Sequence, residues 1–142
     1  MAYNTQDDIA AEIPADVLIQ LTDDQNLGVA DDTVIARVLA RASAEVDGYC
    51  SSLYDVPLDP VTAFIRGLDL DIAVYHLFSR RENVPENRLT RYNNAVKVLK
   101  LIAGGDIQLG ASGPGSPQQS GQNIAIAPAA EEIFTMKRLK NY

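Results

Sequence analysis

The residues in this sequence whose types and spacing could do chemistry are few. Asp69 and Asp71, in the run GLDLDIA, are two carboxylates that suggest a metal-binding pair. Residues two apart on a helix do not face each other, so they are poorly placed to share one ion. The stretch DDQNLGVADDTV, from Asp23 to Val34, carries the glycine of a calcium loop at its sixth position, Gly28. It offers Leu27 at the fifth position and Val34 at the twelfth, where a bidentate carboxylate is required. His76 lies between Tyr75 and Leu77, with no Ser or Cys at a spacing that identifies a nucleophile. A general base needs a positioned partner, so a structural role is expected for it. Cys50 falls on an apolar stripe, which predicts a buried, inert thiol. The glycines of GASGPGSP lack the Lys-Ser/Thr of a phosphate loop. The expectation is a protein that is not an enzyme and that has no catalytic, cofactor-binding or metal site.

One segment carries binding chemistry. RLTRYNNAVKVLK presents Arg88, Arg91, Asn93, Asn94, Lys97 and Lys100 beside Tyr92, residue types that contact phosphates and base edges. A small DNA-binding packaging or regulatory protein using the basic helix 85–103 is therefore one reading. Against it stand a formal net charge of -7 and a pI near 4.5. The charge is also unevenly placed. Residues 1–59 hold twelve Asp/Glu against Arg37 and Arg41, whereas residues 80–100 hold six Lys/Arg against Glu82 and Glu86. Such polarity suits copies that meet negative flank to positive flank, with Arg80, Arg81, Arg88 and Arg91 as the candidate inter-subunit charges.

These residues have to be positioned by helices. Thr5 and Asp8 form a capping pair for a short helix that ends before Pro14, and Pro14 opens a second one through Val17, Leu18 and Leu21. Asp31 or Asp32 caps a long amphipathic helix carrying Val34, Ile35, Val38, Leu39, Ala42, Val46, Tyr49, Cys50 and Leu53 at three and four residue intervals. The elbow YDVPLDP follows, and its candidate residues are Tyr54, Val56, Pro57, Leu58 and Pro60. Its prolines stiffen the connection, and Val56 and Leu58 are expected to anchor it on the core. Asp59 is the expected N-cap of the next helix and Pro60 its first residue, with Phe64, Ile65, Leu68, Ile72, Ala73 and Phe78 as its apolar face. A third long helix presents Leu89, Tyr92, Val96, Leu99 and Ile102, and Gly104-Gly105 stops it. The fold class expected is all-α, a bundle of three long helices plus one or two short N-terminal helices, with an extended C-terminal arm.

The division expected is an α-helical domain over 1–110, a flexible linker over 111–123 and a C-terminal interaction arm over 124–142. The linker reading rests on ASGPGSPQQSGQN, which has no large apolar residue. The arm regains Ile124, Ile126, Ile133, Phe134, Met136 and Leu139, its candidate partner-binding residues. It either folds back on its own bundle or reaches another protein. One cysteine excludes an internal disulfide framework, and one histidine leaves no His/Cys cluster for zinc. The N-terminus lacks the pattern of a signal peptide and no apolar run reaches about 18 residues, so no membrane association and a cytosolic origin are expected.

Several pieces taken together resemble a known family. They are Tyr3-x-Thr5, LIQLTDD at 18–24, Ala42-x-x-Glu45-Val46-Asp47-x-Tyr49, Tyr54-x-Val56-Pro57-Leu58, Asp71-Ile-Ala-x-Tyr75-x-Leu77 with Arg80-Arg81, Arg91-Tyr92, and IAGGDIQLG at 102–110. Their order and spacing are similar to those of the Mu-like phage uncharacterised-domain family grouped with head-tail connector (adaptor) proteins. Leu53-Tyr54 departs from the Arg-Tyr of that pattern, and the chain beyond 110 matches only loosely, through IFTMKRL. The resemblance implies a non-enzymatic virion protein of the neck, found in the host cytoplasm before assembly. It implies a ring, commonly dodecameric, beneath the phage portal protein, joining head to tail and continuing the DNA channel. The implied partners are the portal, neighbouring copies, a tail terminator or other neck protein, and genome DNA that passes without sequence-specific binding. An acidic flank lining such a channel would repel the DNA backbone.

Overall fold

A computed structural model describes residues 2–110. Those residues form five helices and no strand: α1 (Gln6–Glu12), α2 (Ala15–Thr22), α3 (Asp32–Cys50), α4 (Ala63–Ser79) and α5 (Glu86–Ala103). The arm residues Ile124, Ile126, Ile133, Phe134, Met136 and Leu139, and the linker before them, lie outside the described residues.

Local chemistry fixes the helix ends. Thr5 and Asp8 close a capping box, each side chain meeting the other's backbone amide. Asp31 caps α3 by accepting from the amides of Thr33 at 2.8 Å and Val34 at 3.3 Å. At the end of α5, Gly105 has φ +83°, and the Asp106 and Gly105 amides return to the carbonyls of Leu101 and Ile102. This is a Schellman closure, which favours glycine at the left-handed position.

Helices α3, α4 and α5 each pack against the other two, and α1 touches both α3 and α4. The stripe predicted for α3 is buried at Val34, Ile35, Val38, Leu39, Ala42, Val46 and Cys50, whereas Tyr49 is half-buried and Leu53, also half-buried, falls past the end of the helix. On α4, Ile65, Ile72, Ala73 and Leu77 meet it, and α5 contributes Ala95, Leu99 and Ile102. Short α1 brings Ile9, and the residue after it, Ile13, into the same cluster. Full burial of each such side chain contributes about 1.5–3 kcal/mol.

Three expectations need correction. α4 begins at Ala63, not at Pro60, because the Thr62 hydroxyl accepts from the Ile65 amide and supplies the cap that Asp59 was expected to provide. Starting there leaves Phe64 at the rim, 50 % exposed, instead of in the core. Leu89, in the first turn of α5, is also exposed, since the buried face of that helix runs through Ala95, Leu99 and Ile102. In the elbow only half of the anchor holds: Leu58 is buried, but Val56 points to solvent with Pro57 and Pro60. Tyr54 supplies the missing grip, its buried hydroxyl accepting from the Leu109 amide at 2.9 Å.

Candidate interaction surface

The polar residues are organised around two tasks. The first is to fasten the N-terminal segment. The Tyr3 amide donates to Ser43 Oγ at 2.9 Å, and the Ser43 hydroxyl donates to Asp69 Oδ1 at 2.9 Å. Asn4 Nδ2 donates to Asp69 Oδ2 at 2.7 Å and to the Arg66 carbonyl at 2.9 Å. The Tyr3 hydroxyl donates to Asp47 and accepts from the Leu58 amide at 2.7 Å. Two residues thereby join α3, α4 and the elbow. Asp69 is fully buried; burial pushes its carboxyl up, while the Asn4 and Ser43 bonds pull it back. Its companion in the sequence, Asp71, lies beside Arg91 at 3.7 Å. The two carboxylates thus serve different neighbours.

The second task is to hold the α2–α3 connection. Asp23 accepts from the amides of Gln25, Leu27 and Gly28, and the bonds from Leu27 and Gly28 are the main cause that draws its carboxyl below the usual range. Gly28, at φ +76°, lets the chain turn around that carboxylate where a side chain would be strained. What looks like a calcium loop therefore folds its first carboxylate onto its own backbone. From just past the end of α4, Arg80 donates to the Leu21 carbonyl at 2.5 Å and to Asp24 at 2.5 Å. Arg81 donates to the Gln20 and Asp23 carbonyls, at 3.1 and 3.3 Å, and to Asp24 at 2.9 Å. On this pinned loop Leu27 and Val29 are 70 % and 60 % exposed, the two most exposed large apolar side chains among the described residues. Asp23, Asp24, Asp31 and Asp32 line a depression with them. An apolar pair held rigidly in solvent and ringed by carboxylates is suited to contacting a protein.

All four arginines singled out as charges between copies thus have partners within the chain. Arg88 and Arg91 both donate to Glu12, at 2.5 and 2.9 Å, and tie α1 to α5. The Arg88 bond is the largest cause holding the Glu12 carboxyl below its ordinary range. A depressed carboxyl contributes stability above its unfolded value that is lost as the pH falls through its folded one. Glu12→Gln is accordingly expected to cost about 0.5–1 kcal/mol at pH 7, and the difference from the parent to vanish near pH 3. Urea unfolding at the two pH values measures it.

His76 is buried, with Nε2 2.9 Å from Glu45, whose other oxygen accepts from the Tyr92 hydroxyl. Tyr92 stacks on Tyr75 with ring centroids 3.9 Å apart, and burial followed by the Glu45 contact moves its phenol up to about 12. This set links α3, α4 and α5. Cys50 is buried and its thiol pushed up to about 11 by burial, as the apolar stripe predicts. No group of His, Cys, Asp and Glu suited to a metal occurs among the described residues, and none of their helices is long and apolar enough to cross a membrane. The N-terminal fastening and the arginine clamp were missed by sequence reasoning. For Asp69 and His76 a signal existed: both fall on the α4 stripe of Ile65, Ile72 and Ala73, where a polar residue has to find a buried partner.

The fold and its polar contacts can be set beside known proteins. The family model described as "Bacteriophage Mu, Gp36" matches residues 3–127. The chain belongs to this Mu Gp36 family. It is also 26 % identical over 140 residues to "Gene product J" of Escherichia phage Mu, an alignment covering 97 % of each chain. The matched region of this Gp36-family protein begins at Tyr3, the residue that fastens the N-terminus. It extends past the described residues into the segment after Gly110.

Proposed function

We propose that this protein is a structural component of the phage neck: a head-tail adaptor that forms a ring beneath the portal, joins head to tail and continues the DNA channel. The observation that carries this reading is the pinned loop with Leu27 and Val29 exposed, a contact surface prepared before any partner arrives. In the ring the loop meets a neighbouring copy, and α3, α4 and α5 act as the bundle of a stiff wedge whose corner is the YDVPLDP elbow. The C-terminal residues 124–142 serve as the arm that reaches the portal, through the apolar positions Ile133, Phe134, Met136 and Leu139. Membership of a phage Mu family along most of the chain supports a virion role. An enzymatic role has no specific observation in its favour. The alternative of a duplex-binding protein is weakened because Arg88 and Arg91 are held by Glu12, which leaves Lys97 and Lys100 as the cations of α5 without an ion pair among the described residues.

Electron microscopy of purified portal rings incubated with the protein tests the reading. The full-length chain is expected to add a ring layer, and a chain ending at Gly110 or carrying Leu27→Ser and Val29→Ser to lose most of it. Absence of a layer, together with a duplex shift that weakens steeply with salt, would overturn the adaptor and favour the basic helix.

A further inference from the structure

Arg80, Arg81, Arg88 and Arg91 are taken by carboxylates of their own chain, so a positive flank for a neighbouring copy has to come from other cations. The outer face of α5 supplies one. Lys97, Lys100 and Leu101 are exposed there, Leu101 at 44 %. The ion pairs of α5 among the described residues are those of Arg88 and Arg91, so neither lysine has one. No Asp or Glu stands three or four residues from either lysine, whereas the two lysines stand three residues from each other. Like charges that close on a helix repel, and the described residues bring no carboxylate to offset them. Outside the α2–α3 loop, Leu101 is the exposed large apolar side chain that shares its helix face with two such cations.

The α2–α3 loop is the complement of this face. Leu27 and Val29 stand beside Asp31 and Asp32, which also have no ion pair among the described residues. An apolar centre flanked by carboxylates thus matches an apolar centre flanked by ammonium groups, in composition and in sign. The two surfaces lie at opposite ends of the bundle. The end of α5 sits beside the C-terminus of α3, where the Ser52 hydroxyl donates to the Ala103 carbonyl at 3.0 Å, and the loop immediately precedes the N-terminus of α3. The 19 residues of α3 separate them by roughly 28 Å. One copy can therefore offer both surfaces at once, to two different neighbours.

We propose that the C-terminal turns of α5 receive the α2–α3 loop of a second copy, with Leu101 against Leu27 and Val29 and with Lys97 and Lys100 facing Asp31 and Asp32. This rests on the loop being the contact surface of the adaptor, and it names the surface that the loop meets. A contact between unlike surfaces is heterologous: each copy leaves one of each kind open, so copies add head to tail until the rotation between them closes a ring. The charged part of the contact makes the association weaken as salt rises.

Sedimentation velocity of the full-length protein at low salt tests this with two double variants, each lacking one surface. Leu27→Ser with Val29→Ser keeps the α5 face, and Lys97→Glu with Lys100→Glu keeps the loop. The parent is expected to form species larger than a dimer, and each variant alone to associate more than about tenfold more weakly. An equal mixture of the two variants should give a dimer of one of each and nothing larger, because a single matching pair of surfaces remains. Urea unfolding of both variants checks that each is folded. A parent that is monomeric at every concentration, a lysine variant that associates like the parent, or a mixture that stays monomeric would overturn the proposal. Its failure is separable from that of the adaptor reading: a lysine variant that adds a ring layer to the portal as the parent does would leave the adaptor standing and this contact refuted.

Discussion

Asp69→Leu will lower the stability of the protein by about 2–4 kcal/mol, measured as a shift in the urea midpoint at constant slope. Leu fits the apolar surroundings of Ile65, Ile72 and Ala73, so lost packing is not the source. The cost arises because the Ser43 hydroxyl and one Asn4 bond lose a charged acceptor in a site closed to water. Asp69→Asn separates two components of this. It keeps an acceptor for Asn4 while removing the buried charge, and should cost less than half as much as Leu. The pH dependence has a defined sign. The Asp69 carboxyl is raised in the folded protein, so the folded state holds that proton more firmly than the unfolded one. Its contribution to stability therefore declines as the pH rises above about 4. Stability measured between pH 4 and 7 should move in favour of the Asn variant relative to the parent. A constant difference across that range would show that Asp69 carries no buried charge.

Tyr3→Phe is expected to cost about 1–3 kcal/mol although the ring and its packing are retained. The substitution leaves the buried Leu58 amide without its acceptor and takes the hydroxyl donor from Asp47. Because that amide belongs to the elbow, the loss should be local as well as global. Hydrogen exchange at Leu58 should accelerate more than exchange at Val46 or Leu99, which lie in helices. Equal acceleration at all three sites would mean that the hydroxyl supports the whole structure and not the elbow in particular.

How much of this was legible in the sequence depends on the range of the interaction. The helices were legible because their causes are local. The Thr5/Asp8 box, the Asp31 cap, the α3 stripe and the Gly104-Gly105 stop each lie within a few residues. The start of α4 was misplaced because two caps competed within four residues, and Thr62 hydroxyl geometry prevailed over the Asp59-Pro60 pattern. Val56 and Leu58 look equivalent in sequence, and a regularly extended stretch would place both on one side, yet one faces solvent and the other the core, because the chain turns at Pro57 between them. The candidate surface was least legible. Leu27 in DDQNLGVADD reads as a flaw in a calcium loop, and only the folded chain shows it displayed beside Val29 on a loop gripped by Arg80 and Arg81 from about sixty residues away. The same distance hid the tasks of the four arginines, which composition assigns equally well to a neighbour or to the chain itself.

The N-terminal fastening also bears on the order in which the molecule can be completed. Asn4 finds Asp69 across 65 positions and Tyr3 finds Leu58 across 55, so the first residues to leave a ribosome wait for most of the helical chain before their partners exist. Contacts so far apart in sequence require the intervening loop to be closed first. The beginning of the chain is thus a latch on a body already formed, and a change there should be felt chiefly as faster opening of the finished protein, with little delay in making it.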